Sequence, residues 1–345
     1  MLAAIYEGVG KITLKDIEKP KLTKDGMIIK VNSCAICGTD VKAFTRGIAR
    51  ITIPVILGHE FVGTVVEVGD EVKGFKIGDR ITMATTVSCG GCLYCNTGFG
   101  NLCENVLPVG TVVNGAFCEY MSVMPLGIKR GNVLKVPENL SDDAGALAEP
   151  LGCVINGQII AEVGQGDTVV IIGAGPIGCL HIESAKSRGA TKIIVVQRSA
   201  FRASLLEKFD VDRVVISSKE DPVSACLDVT NGKGADVVIV SAPSNEAAEY
   251  SLKLIKKGGR LSLFSSFPKD NPDITINGNL IHYKQIKVCG ASDSTPYHHV
   301  LALELLSSGK INTDAMITHR LPLSKFLEAI EIAKKGESLK IIIKP

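Results

Sequence analysis

Thr168-Val169-Val170-Ile171-Ile172, followed at once by Gly173-Ala174-Gly175-Pro176-Ile177-Gly178, is the stretch that decides the fold of this chain. The first five residues form an unbroken β-branched run, suited to a strand buried on both faces. The next six spell G-x-G-x-x-G, and Pro176–Ser187 reads as a helix closed by Gly189. Alone, the glycine pattern is a weak signal, because glycine-rich turns are common. Its context gives it force: a strand before, a helix after, and a second strand, Lys192–Val196, within thirty residues. In that setting Gly173 makes the tight turn and Gly175 lets backbone approach a pyrophosphate at the positive helix end. Gly178 allows helix and strand to pack closely. A purely structural βα turn is the competing reading.

Strands and helices alternate outward from this point. Ser199 caps a helix running to Phe209, and Arg213–Ile216, Asp236–Val240, Arg260–Phe264 and Gln285–Cys289 read as further strands. Six strands with intervening helices predict a doubly wound parallel sheet of Rossmann type. Upstream the texture differs. Alternating runs such as Gly26–Val31 and Phe61–Val68, punctuated by Gly63, Gly69, Gly74 and Gly78, predict a barrel-like β-rich domain. A helical stretch from Asp142 to Val163 joins the two textures. Beyond Gly290 the alternation stops, and helices at Tyr297–Ser307 and Lys325–Lys335 precede a final strand, Lys340–Ile343. The fold class is α/β.

At 345 residues the chain is long enough for two domains with separate cores. Its 46% hydrophobic and 21% charged residues describe a globular protein, not a disordered one. A formal charge of +2 supplies no field for nucleic acid or an anionic membrane. The start lacks a basic-then-apolar leader, and acidic residues interrupt every apolar run before it could span a bilayer. Eleven cysteines without such a leader point to a reducing compartment, and a cytoplasmic protein is expected.

Gln197 ends the second strand of the nucleotide-binding unit, where an acid usually holds the adenosine ribose, and Arg198, Ser199 and Arg202 follow. A carboxylate there bonds the 2′-hydroxyl of NAD and repels a 2′-phosphate; a neutral residue beside arginine does the reverse. The expected preference is NADP(H), with NAD(H) the alternative if the arginines are only solvated.

Cys89, Cys92, Cys95 and Cys103 form C-x2-C-x2-C-x7-C inside one short glycine-rich loop. Two residues between neighbouring ligands are enough chain to turn back toward one ion at about 2.3 Å from each sulfur. The cluster reads as a structural zinc site rather than a disulfide knot. A nucleic-acid zinc ribbon is excluded because Leu93, Tyr94, Asn96, Thr97 and Phe99 offer no basic cluster.

Three shorter elements complete the pattern: Cys37-Gly38-Thr39-Asp40, Gly58-His59-Glu60 and Ala148-Glu149-Pro150. With the four-cysteine loop and the glycine fingerprint, in this order and approximate spacing, the whole chain resembles a zinc-dependent medium-chain dehydrogenase/reductase of the alcohol dehydrogenase superfamily. The resemblance implies a discontinuous GroES-like catalytic domain, residues 1–150 and 290–345, enclosing a Rossmann domain, residues 151–289, with the active site in the cleft. It further implies a homodimer or homotetramer.

Carried across residue by residue, the resemblance makes Cys37 and His59 ligands of a catalytic zinc, giving two zincs per chain. Glu60 and Glu149 become direct or water-bridged ligands. Glu149 stands where alcohol dehydrogenases have a second zinc-binding cysteine, which resembles the sorbitol and polyol branch. Thr39 matches the hydroxyl that passes the alcohol proton outward, and Asp40 the acid that orients the histidine. Such a ligand set leaves one position open for water or a substrate oxygen, which zinc acidifies. Lys42 departs from the family, which often has histidine there; it either faces solvent or, with Arg46, binds an anionic group.

The expected activity is hydride transfer between NAD(P) and a secondary alcohol: a polyol, sugar alcohol, cyclitol or their phosphate, interconverted with its ketone. L-threonine or a small diol is the alternative substrate. A catalytically silent, nucleotide-binding relative is the reading from another class, and the presence of Cys37, His59, Glu60 and Glu149 argues against it. Cys118, Cys153, Cys179, Cys226 and Cys289 lie in apolar runs and are expected to fill cores.

Overall fold

Every residue from Met1 to Pro345 is described by a computed structural model. The chain forms two units, one of Met1–Gly152, Asp293–Gly309 and Met316–Pro345, the other of Cys153–Ser292 and Lys310–Ala315. No helix is long and apolar enough to cross a membrane.

The first unit is built on a seven-stranded sheet. Its central strand, Met27–Ala35, pairs antiparallel with Glu60–Val68 along one edge. Along the other edge it pairs with Tyr120–Val123 near its start and Lys340–Lys344 near its end. Nearly every side chain of Met27–Ala35 is buried, as expected of a strand flanked on both edges and covered on its faces. Buried Phe61, Phe117 and Phe326 anchor the core, the last two with ring centroids 4.6 Å apart. Each such burial contributes roughly 1.5–3 kcal/mol.

Register then assembles a site. Ala35 lies opposite Glu60 on one neighbour and opposite Ile342 on the other. The Ile36 N–H donates to the Ile341 carbonyl at 2.9 Å, so the ladder continued beyond the strand sets Cys37 against Lys340. Side chains alternate between faces; Cys37, Glu60 and Lys340 therefore share one. Cys37 also begins the helix Gly38–Arg46, which is tied down by buried Tyr6, whose hydroxyl donates to the Ala43 carbonyl at 2.9 Å.

The second unit holds six parallel strands in the order Arg213–Ile216, Lys192–Gln197, Thr168–Ile172, Ala235–Val240, Ile255–Leu263 and Lys287–Gly290. Chain order reverses beside Thr168–Ile172, the place where such sheets bind nucleotide. Val169–Ile172, Ile193–Val196 and Val237–Val240 are buried, matching their continuous apolar sequence. The fold class is therefore α/β, with a doubly wound parallel sheet in one unit and a β-rich architecture in the other.

Several elements differ from expectation in detail. The Asp142–Val163 stretch is two helices, Asp142–Gly145 and Ala148–Ile160. Pro150 is the cause: it has no N–H for the Ala146 carbonyl, yet it fits the first turn of a new helix without loss. The helix capped by Ser199 shortens to Ala200–Ser204 and tightens into a 3-10 turn over Leu205–Lys208. The Arg260–Phe264 strand starts earlier, at Ile255.

Candidate metal centres and nucleotide site

The four cysteines converge. Sulfur–sulfur separations are 3.4 Å for Cys92–Cys95 and 3.9 Å for both Cys89–Cys95 and Cys92–Cys103. A tetrahedral ion about 2.3 Å from each sulfur fits such edges. None of the four is in a disulfide. Backbone N–H groups of Cys89 and Asn105 point at the Cys103 sulfur (3.2 and 3.3 Å), and that of Gly90 at Cys95 (3.3 Å). Backbone N–H groups of Cys95 and Glu104 pull the Cys92 thiol down to about 6. Polarised donors aimed at sulfur favour thiolate, the form that binds metal. The donor set fits zinc.

In the same unit, one ligand atom each from Cys37, His59 and Glu60 lies within 4.8 Å of the others. Cys37 is half-buried, while His59 and Glu60 are buried. Asp40 locks the arrangement. Its Oδ2 accepts the Cys37 N–H at 2.8 Å, half of a capping box that fixes where the helix starts and where the sulfur points. Its Oδ1 faces His59 Nδ1 at 4.0 Å, and both of these buried atoms lack a hydrogen-bond partner. Thr39 sits half-buried in the first turn of that helix.

Lys340 is the participant that sequence reasoning missed. Its ammonium donates to both oxygens of Glu60 at 2.5 Å, with the two side chains 2% and 0% exposed. A lysine opening an otherwise apolar strand, Lys340-Ile341-Ile342-Ile343, was the available signal. Asp293 was missed too. It lies near Glu149, has φ +60°, and accepts from the Thr86 hydroxyl at 2.5 Å.

The charges around this cluster explain its titration. Burial pushes the Cys37 thiol up to about 12, and the Glu60 carboxylate pushes the same way. Burial raises Glu149 to about 8, opposed by His59. For His59, burial disfavours the charged form, but Asp40, Glu149 and Glu60 outweigh it and the pKa rises. Asp40 and Glu60 are thus buried beside Cys37 and His59 with Lys340 as the neighbouring cation, whereas Glu149 groups with Asp293 and not with those metal-binding candidates. Buried anions are costly unless compensated. The donors suit a divalent cation, whose charge would supply that compensation.

The predicted nucleotide residues come together in the second unit. Gly173 has φ +108°, and a Cβ on Gly178 would stand 1.8 Å from the Gly173 carbonyl oxygen, so the turn and the helix pack with no room for a side chain. Pro176 opens the Pro176–Ser187 helix after Gly175, followed by Ile177. Gln197 Oε1 accepts the Ala174 N–H at 2.8 Å, tying the end of the second strand to the glycine turn. The Ser199 hydroxyl accepts the Arg202 N–H at 3.4 Å. The Arg202 guanidinium lies 3.1 Å from where a Gly175 Cβ would be, which places a cation against the fingerprint. Arg198 and Arg202 make no ion pair with a carboxylate. Among the remaining cysteines, Cys118, Cys179 and Cys226 are buried, whereas Cys153 and Cys289 are partly exposed.

Comparison with known proteins bears on all of this. Residues 23–138 match the alcohol dehydrogenase GroES-like domain, and residues 176–307 match the zinc-binding dehydrogenase domain. The chain is 34% identical to a D-arabitol-phosphate dehydrogenase of Enterococcus avium (97% of this chain, 94% of the relative). It is 32% identical to a sorbitol dehydrogenase of Halalkalibacterium halodurans (100% and 98%) and 35% identical to an L-threonine 3-dehydrogenase of Thermococcus kodakarensis (96% and 94%). A solved zinc-binding dehydrogenase of Sinorhizobium meliloti 1021, bound to NADP, superposes with TM-score 0.93 at 33% identity, covering 100% of this chain and 99% of that one. Fold, motifs and relatives agree: this chain belongs to the zinc-dependent medium-chain dehydrogenases of the alcohol dehydrogenase superfamily, NAD(P)-dependent oxidoreductases acting on CH–OH groups.

Proposed function

We propose that this enzyme interconverts a secondary alcohol of a polyol, sugar alcohol, cyclitol or one of their phosphates with the corresponding ketone, using NADP(H). The observation that carries the reading is the convergence of ligand atoms of Cys37, His59 and Glu60 within 4.8 Å of one another, with Cys37 and Glu60 brought to one face by strand register. Cys37, His59 and Glu60 would hold a zinc ion, with Glu149 reaching it through water. When bound, zinc acidifies a hydroxyl and polarises a carbonyl.

The chain's own residues do the rest. The Asp40 carboxylate, 4.0 Å from Nδ1 of His59, would orient the ring as a ligand of the ion. Lys340 adds one positive charge beside Glu60, partly offsetting the thiolate and carboxylates that would surround the ion. The Thr39 hydroxyl, in the first turn beyond Cys37, accepts the substrate proton and passes it outward. Gly173 and Gly175 would let the backbone approach the pyrophosphate, Gly178 lets the helix pack against the turn, and Gln197 with Arg198, Ser199 and Arg202 would receive the 2′-phosphate.

A panel of polyols, cyclitols, their phosphates, L-threonine and butane-2,3-diol, assayed with each nicotinamide cofactor, tests the reading. A polyol or its phosphate should give the highest kcat/KM, with NADP preferred, and His59→Ala should abolish turnover while cofactor affinity stays nearly unchanged. L-threonine as the best substrate would overturn the polyol assignment, and an NAD preference that survives Arg198→Ala would overturn the cofactor one.

The exposed Lys287–Gly290 edge strand supports assembly through strand pairing with a second copy. Light scattering that finds only monomer would refute it. Eleven cysteines, none of them in a disulfide, support a cytoplasmic location.

A further inference from the structure

We propose that Lys42 and Arg46 form an anion anchor that makes this enzyme selective for phosphorylated polyols; the inference rests on the dehydrogenase reading above and narrows its substrate class. The Gly38–Arg46 helix starts at the metal-binding Cys37. At 100° per residue, Thr39, Lys42 and Arg46 fall on one stripe, while buried Asp40 and Ala43 face inward. With a rise of 1.5 Å per residue, Lys42 stands about 4.5 Å and Arg46 about 10.5 Å beyond Thr39 along the axis. The stripe thus leads from the proton-accepting hydroxyl at the reacting end to two cations spaced along one face.

Both cations are exposed, and neither makes an ion pair or a hydrogen bond within the chain. No Asp or Glu occurs between Asp40 and Glu60, whereas Lys42, Arg46 and Arg50 all do. In a chain with net charge of only +2 this is a local excess. Arg46 gains from its place in the last helical turn, where cations oppose the dipole. Lys42, in mid-helix, has no such dipole benefit and lies exposed without a partner in the chain, which leaves its ammonium available to a ligand.

The ligand is a phosphomonoester. It carries about −1.5 to −2 charges at pH 7 and has three acceptor oxygens, which suits a lysine and an arginine acting together. A carboxylate, as in a hydroxy amino acid, needs only one bidentate arginine. The cofactor's phosphates already have the Gly173–Gly178 turn and its two arginines in the other unit. A pentitol or hexitol phosphate would present its carbinol to the metal-binding donors and its ester oxygens to Lys42 and Arg46.

The test uses the zinc-loaded, full-length enzyme with D-arabitol, D-arabitol 1- and 5-phosphate, D-sorbitol, D-sorbitol 6-phosphate and L-threonine. The wild type should favour a phosphate ester over its parent polyol in kcat/KM. Lys42→Met and Arg46→Met should each reduce that ratio about tenfold, mostly through KM, since a hydrogen bond to a charged group contributes that much. Lys42→Arg and Arg46→Lys should retain most of it. Calorimetric binding of the phosphate esters should weaken in parallel, so the anchor is still read if none of the alcohols is oxidised. That last result would sink the dehydrogenase reading and leave the anchor standing on binding. Equal kcat/KM for esters and parent polyols, equal loss on both in the Met variants, a rise confined to the KM of NADP, or a preference for L-threonine would each overturn the proposal. Melting curves confirm that these surface variants fold.

Discussion

Lys340→Met removes the one ammonium that faces Glu60 and so isolates a carboxylate that is 0% exposed. Both oxygens of Glu60 accept from that ammonium at 2.5 Å, so the substitution removes a donor from each. Breaking a buried pair from one side costs about 3–5 kcal/mol, because the remaining charge cannot be solvated. For a unit of this size each kcal/mol shifts the midpoint by about 2–4 °C, so the metal-free protein should melt about 10 °C lower. Zinc changes the comparison. With a divalent ion on Cys37, His59 and Glu60, the carboxylate regains a positive neighbour, and most of the lost stability should return. The stabilisation added by zinc should therefore be larger in the variant than in the wild type. The assay is differential scanning calorimetry of metal-free and zinc-loaded protein. Glu60→Gln combined with Lys340→Met completes a double-mutant cycle and should be milder than Lys340→Met alone. A metal-free Lys340→Met protein melting within about 2 °C of wild type would refute the argument.

Other consequences are as direct. Cys89→Ser with Cys92→Ser should leave one zinc per chain by elemental analysis, with turnover retained at low temperature and a lower melting point; loss of both metals from a folded protein would contradict the division between the sites. Gly178→Ala drives a methyl into the Gly173 carbonyl, and cofactor affinity by fluorescence titration should fall at least about tenfold as the helix is pushed off the turn. His181 is fully buried against Gln158 and Phe264, and burial pushes its pKa from 6.5 down to about 3. Below pH 6.5 the unfolded chain therefore binds a proton that the folded chain refuses, so stability falls as pH drops from 6.5 toward 3. The His181 contribution is about 1.4 kcal/mol per pH unit. His181→Gln should flatten the slope of urea-derived stability by that amount between pH 6 and 4, and an unchanged slope would show that this ring does not stay neutral.

What was legible in the sequence was what is local in the chain. The glycine turn, its strand and its helix are contiguous, and the four cysteines of the loop span Cys89 to Cys103, so spacing alone brings their atoms together. Cys37 and His59 needed more, because a lone cysteine and a lone histidine say little until the resemblance joins them. The Lys340–Glu60 pair lies beyond this kind of reading. Its members are far apart in sequence and meet only because Ala35 takes Glu60 on one side and Ile342 on the other, a register that hydrophobic pattern does not number. Arg202 was expected near the nucleotide, but that its guanidinium lies against Gly175 is a tertiary contact that sequence spacing does not give. The break before Ala148–Ile160 could have been read from Pro150 alone.

Anomalous diffraction at the zinc edge, from crystals of the zinc-loaded protein, tests the central claim most directly. Two peaks are predicted, one among the sulfurs of Cys89, Cys92, Cys95 and Cys103, the other in contact with Cys37, His59 and Glu60. A second peak bound elsewhere, or none beside Cys37 and His59 in active protein, would contradict the account.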